Sequence, residues 1–178
     1  YSASSAARVA LTALRKLDLR DNPLVRPQSA IIEEWFCELS DRGCELAGVQ
    51  TMDFHAQGLM EFPTKLCDAR RAGILKELYL NQNKITELPD SIRALRWLKT
   101  LVLYNNELEQ LPDSIGDLVE LERLELDGNY LKVLPGSIGA LIALKDLHLN
   151  DNKIVTLPDS IVALTALRKL DLRDNPLV

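Results

Sequence analysis

Aromatic residues make up only 5% of the 178 residues, histidine occurs twice and cysteine three times. Each scarcity removes a class of chemistry. Cys37, Cys44 and Cys67 are an odd set without framework spacing, which argues against a disulfide-stapled secreted scaffold and for a reducing, cytoplasmic setting. The spacing Cys37-x6-Cys44-x10-His55 does not match a zinc site, so no metal is expected. No Asn-x-Ser/Thr sequon is present, in keeping with that setting. No apolar run approaches the ~20 residues of a membrane span. The stretch from Ser2 to Leu14 carries Arg8 in its middle and has no apolar centre, so no secretory signal is expected. The first residue is Tyr1 rather than Met, which reads as processing or truncation. The net charge of −5 argues against a nucleic-acid partner, because phosphate contacts require clustered Lys and Arg. No G-x-x-x-x-G-K-S/T loop occurs, so no nucleotide cofactor is expected. A Cys–His nucleophile would have to draw on Cys37, Cys44 or Cys67 with His55, and nothing near them resembles an activated thiol. The chain is read as non-enzymatic.

What the sequence holds in abundance is leucine in a fixed register. Asn83, Asn106, Asn129, Asn152 and Asn175 recur every 23 residues, and Pro89, Pro112, Pro135 and Pro158 share that period. Around each Asn runs L-x-x-L-x-L-x-x-N-x-L: Leu75, Leu78, Leu80, Asn83 and Ile85 in one unit, Leu98, Leu101, Leu103, Asn106 and Leu108 in the next. The L-x-L centre is a short strand with alternate side chains turned inward. One unit cannot bury its own leucines, so stacked neighbours must share a continuous core and a parallel sheet. The chain then turns sharply, and the Asn amide, with both donor and acceptor, satisfies the backbone groups the turn leaves behind as a ladder between units. Leu-Pro followed by Asp-Ser-Ile opens the return segment. Asp90, Asp113 and Asp159 are the expected N-caps of a helical turn, with Ser91, Ser114, Ser137 and Ser160 as alternatives. Ile92, Leu95 and Leu98 are expected to face the core from that side. A helical bundle is excluded because a proline in every unit would break its helices.

The unit L-x-x-L-P-x-S-I-x-x-L-x-x-L-x-x-L-x-L-x-x-N-x-L resembles the intracellular Ras-group leucine-rich repeats of scaffold proteins such as Scribble and Erbin and of related plant intracellular proteins. The match is close over residues 75–178 and looser before. The resemblance implies an α/β leucine-rich-repeat solenoid, a curved horseshoe without cofactor that binds a partner protein mostly through its concave sheet.

The first third is irregular. Leu14, Leu17, Leu19, Asn22 and Leu24 form one unit within residues 1–25. Val49, Met52, Phe54, Gln57 and Leu59 form another within 49–74, with Gln57 in the Asn position, where its extra length is expected to disturb the ladder. Between them, Ile31, Ile32, Trp35, Phe36 and Leu39 fall on one helical stripe that Arg42-Gly43 stops. A helix from about Ser29 to Asp41 is expected on the convex side, as an insertion or cap over 26–48 that bridges the core or offers a second partner site through Trp35 or Phe36. The regular repeats of 75–178 are read as ending without a C-terminal cap. Residues 9–25 and 162–178 read the same seventeen letters, VALTALRKLDLRDNPLV, which points to a super-repeat of about 153 residues in a longer array or to an engineered permutation.

By register, the outward central row is Asp18, Asp53, Tyr79, Val102, Glu125, His148 and Asp171. Beside it run Arg20, His55, Asn81, Tyr104, Asp127, Asn150 and Arg173 on one flank, and Lys16, Thr51, Glu77, Thr100, Arg123, Asp146 and Lys169 on the other. Seven strands at about 4.8 Å make a face about 30 Å long, enough for a protein interface of about 800 Å² per partner. Tyr79, Val102 and Tyr104 form an exposed apolar-aromatic spot on it, flanked by Glu125 and Asp127, with His148 and Arg173 completing the candidate surface. The acidic flank favours a basic segment of a protein partner. The alternative is an assembly module that joins other chains or itself through the uncapped end and the convex helix. A third class is the targeting part of an enzyme whose catalytic domain lies elsewhere.

Overall fold

A computed structural model describes residues 15–18, 48–68 and 73–178. Among these, seven three-residue strands form one parallel sheet in chain order: β1 Lys16–Asp18, β2 Thr51–Asp53, β3 Glu77–Tyr79, β4 Thr100–Val102, β5 Arg123–Glu125, β6 Asp146–His148 and β7 Lys169–Asp171. Each strand is in register with its neighbour, so that Asp53, Tyr79, Val102, Glu125, His148 and Asp171 lie side by side. From β2 onward each crossover contains a short 3-10 turn: Thr64–Cys67 in the irregular unit, then Asp90–Leu95, Asp113–Asp117, Gly136–Ala140 and Asp159–Ala163. The fold is the α/β leucine-rich-repeat solenoid that the periodicity implied.

Its core is the leucine register made solid. Leu78, Leu80, Leu101, Leu103, Leu124, Leu126, Leu147 and Leu149 are fully covered from the strand side, and Ile92, Ile115, Ile138, Leu95, Leu118 and Leu141 from the return side. A fully buried side chain of this size contributes about 1.5–3 kcal/mol. The asparagine ladder closes the turns. Asn106 accepts at Oδ1 from Ile85 N–H at 3.1 Å, one unit back, and donates through Nδ2 to the carbonyls of Leu80 and Leu103 at 3.0 Å each. Asn83, Asn129, Asn152 and Asn175 repeat the arrangement. In the Asn position of the irregular unit, the Gln57 amide donates to its own unit's His55 carbonyl at 3.0 Å, as Asn83 does to Asn81, and the Phe54 carbonyl accepts from Asn83 as in the later units.

The residue before each ladder position has a positive φ: Ala56, Gln82, Asn105, Asp151 and Asp174 between 53° and 57°, and Gly128 at 64°. This left-handed step re-aims the chain out of the strand. Gly128 also meets Asn105 so closely that a Cβ would lie 2.2 Å from its Oδ1.

The helix caps require correction. Pro89, Pro112, Pro135 and Pro158 occupy the cap position in extended conformation, and no side chain caps any of these turns. Proline fixes its own φ and starts the turn one residue early, so Asp90, Asp113 and Asp159 fall inside the first turn. Ser114 Oγ instead donates to Asp90 Oδ1 of the preceding unit at 3.3 Å. The expected helix Ser29–Asp41, the Asn22 unit apart from residues 15–18, Cys37, Cys44 and Arg20 lie outside the described residues.

Candidate functional site

Side chains between the inward leucines rise from the sheet in three rows, and across β1 to β5 they enclose a concavity of about 460 Å³. Its floor is Val102, only 3% exposed. The reading of Val102 as an exposed contact is therefore corrected: long side chains on either side of its strand overhang a short β-branched one. Tyr79 on β3 and Tyr104, two residues past Val102, are half-buried and line the walls. The ladder continues through Tyr104, whose carbonyl accepts from Gln82 N–H at 2.9 Å, which fixes the backbone carrying the ring. Thr51 and Glu77 border one side, His55 and Asn81 the other, and Arg123 with Glu125 the far end.

The charges are arranged unequally. Arg123 Nε donates to Glu125 Oε1 at 2.6 Å and its Nη2 to the same oxygen, and Glu125 is only 8% exposed. The expected acidic flank is thus partly spent within the wall. Glu77 has no such partner. Its Oε2 accepts from Thr51 Oγ1 at 3.0 Å and from Tyr79 OH at 3.4 Å, both neutral donors, and no ion pair among the described residues involves it. Burial first, and then Glu77, push the Tyr79 hydroxyl above its ordinary pKa, so it stays a donor. Asn81 Nδ2 lies 2.5 Å from His55 Nδ1, which holds both rims of that side together.

Of the residues singled out from the sequence, Tyr79, Val102, Tyr104 and Glu125 meet in this concavity. Asp127, His148 and Arg173 do not line it; they continue the rows toward β7. Burial, ahead of Glu125, raises the Asp127 carboxyl, while Arg173 is spent on Asp171 Oδ2 at 2.6 Å and draws that carboxyl down to about 2. Thr51, Glu77 and Arg123 were passed over as site residues although the register placed them in the row beside Tyr79. The alternation that picked out the tyrosines is the signal that locates them.

Chemistry elsewhere is sparse. Burial pushes the Cys67 thiol up, away from a reactive thiolate. Among the described residues, no group of three metal-ligating side chains occurs and no helix is long and apolar enough to cross a membrane.

A family model for a leucine-rich repeat region matches residues 65–171, and one for the leucine rich repeat matches residues 13–39. No curated protein matches the chain. A leucine-rich-repeat protein of Leptospira interrogans superposes with a TM-score of 0.59 at 24% identity, over 98% of this chain and 58% of that one, a likeness of fold alone. The plant peptide hormone receptor RGFR1 in complex with RGF2 gives 0.64 at 31% identity, over 74% of this chain and 22% of the receptor. A TDR receptor gives 0.66 at 26% identity, over 74% and 23%. The chain spans less than two thirds of the length of each of these proteins.

Proposed function

The chain belongs to the leucine-rich repeat family, and from that premise we propose that it is a non-enzymatic binding module whose concave face takes up an extended segment of a partner protein. The observation that carries this reading is the concavity of about 460 Å³ walled by Tyr79 and Tyr104. Tyrosine gives a large contact area at low entropic cost and is enriched among residues that dominate interfaces. The sheet beneath is hydrogen-bonded from strand to strand along its length, which limits the ordering cost on this side of the complex. RGFR1, a similar structure, is a peptide hormone receptor in complex with RGF2, which supports a peptide-like occupant here. The resemblance of the repeat to the Ras-group form and the odd cysteine set support a scaffold role in a reducing, cytoplasmic setting. The test is affinity capture on the immobilised chain beside the Tyr79→Ala/Tyr104→Ala variant. Proteins retained by the first should bind the second weaker by about 2 kcal/mol or more with the circular dichroism unchanged. Equal retention rejects the site.

A second reading rests on the last unit, where Leu170 is 39% exposed and Leu177 40%. We propose self-association of the 178-residue chain through that face. Sedimentation velocity checks it: a mass that rises with concentration and returns to monomer with Leu170→Lys supports the reading, and a monomer throughout rejects it.

A further inference from the structure

The concavity has a charge preference written into its hydrogen bonds. Two of its lining residues are cations, and both are already engaged: Lys16 with Asp18 at 3.8 Å, and Arg123 with Glu125 through two nitrogens. An anionic group arriving at Arg123 meets a guanidinium whose charge is already offset by Glu125, a carboxylate only 8% exposed, so its gain there is reduced. Glu77 is the opposite case. Thr51 Oγ1 and Tyr79 OH, at 3.0 and 3.4 Å, hold its carboxylate in one orientation without cancelling its charge. A cation reaching it displaces no existing ion pair and adds a charge-assisted bond to a group already oriented.

The surroundings suit a long side chain with a charged end. Val102 gives an apolar floor for a methylene stem, and Tyr79 and Tyr104 put two aromatic side chains, a residue type that attracts cations, in the same lining. We infer that the partner segment is basic and seats one arginine or lysine in this concavity, stem over Val102 and charged group at Glu77. This rests on the concave-face reading above and names the residue on this chain that selects the partner. Glu77, rather than the Glu125 and Asp127 flank, carries that selection.

The test uses three capped glycine–serine pentapeptides that differ only at the centre, with arginine, norleucine or glutamate. Each is titrated into the full chain while the ring resonances of Tyr79 and Tyr104 are followed by NMR. The arginine peptide should shift both rings and bind about tenfold tighter than the glutamate peptide. Glu77→Gln, which keeps the hydrogen-bond acceptor and removes the charge, should bring arginine and norleucine peptides within about twofold of each other. Preference for glutamate, equal shifts from all three, no shift with arginine, or unchanged selectivity in Glu77→Gln overturns the inference. If the Tyr79→Ala/Tyr104→Ala variant still loses the captured partner while the peptides show no charge preference, the concave face stands as the binding surface and only this assignment falls.

Discussion

Leu124 and Leu170 occupy the same place in the repeat, at the middle of β5 and of β7. Leu124 is sealed between β4 and β6 and has no exposed surface, whereas Leu170 has β6 on one side alone and keeps 39% of its surface. The return segments differ in the same way: Asp113–Asp117 buries Ser114, Ile115 and Gly116, and Asp159–Ala163 buries nothing. Identical chemistry is core in one unit and surface in another. Burial in this molecule belongs to the stack, since each unit supplies half a core and its neighbours the other half.

Truncating the two leucines separates these cases. Leu124→Ala should cost about 2–5 kcal/mol by urea unfolding, and Leu170→Ala under about 1 kcal/mol. Equal losses would mean that the last unit is as well packed as the middle ones. Asn106→Ala should follow at about 2–4 kcal/mol: it strands Ile85 N–H, a buried group whose loss of partner costs about 1–3, and takes one of two donors from each of the Leu80 and Leu103 carbonyls, which keep Asn83 and Asn129. Amide exchange at Ile85 should accelerate with it. A smaller effect is expected on the return side. A Cβ on Gly116 would lie 2.6 Å from the Ser137 carbonyl oxygen, yet the equivalent Val162 in the last unit is 82% exposed. Gly116→Ala should therefore destabilise by about 1–3 kcal/mol by overpacking, while Val162→Ala is neutral in the same unfolding assay. Arg93, at that position in the unit before, is accommodated by a longer turn, Asp90–Leu95.

Acid should do least. Glu122 is tied to Lys145 at 2.5 Å and Lys99 at 3.0 Å, one unit on either side, and these bonds draw its carboxyl down to about 2. A depressed carboxyl contributes stability above the unfolded-state pKa and loses it as pH falls through the folded value. Glu122 should therefore remain ionised in a carbon-detected titration until the pH approaches about 2. Because its side chain is only half-buried and solvent screens the pairs, the accompanying loss should stay within about 1 kcal/mol. A midpoint near 4 would show that the two lysines do not hold it.

The leucine and asparagine positions were legible because their spacing is the physical requirement itself: inward rows must recur with the strand, and the turn needs an amide in each unit. The left-handed step was legible too and was passed over. Asn105, Gly128, Asp151 and Asp174, residue types that tolerate positive φ, precede the ladder asparagines, although Gln82 and Ala56 do not announce it. The caps were misread because Asp-Ser looks like a cap wherever it follows a loop, and the proline before it had already set the geometry. Outward direction at Val102 followed from alternation, but its exposure did not. That depends on the reach of residues on adjacent strands, which are far away in sequence. The pairing of Arg123 with Glu125 and the isolation of Glu77 are of the same kind: the register brings them near, and only rotamers decide which carboxylate is spent.

Tyrosines on two different surfaces provide the most direct check on the binding face. Tyr79 and Tyr104 line the concavity, while Tyr130, 45% exposed, lies under Lys153 Nζ at 4.4 Å beside a separate depression lined by Glu107, Glu109 and Lys132. Hydroxyl-radical footprinting of the chain with and without a captured partner reads all three at once. Protection of Tyr79 and Tyr104 with Tyr130 unchanged is the expected result; protection of Tyr130 with the other two unchanged would place the partner elsewhere and contradict the account.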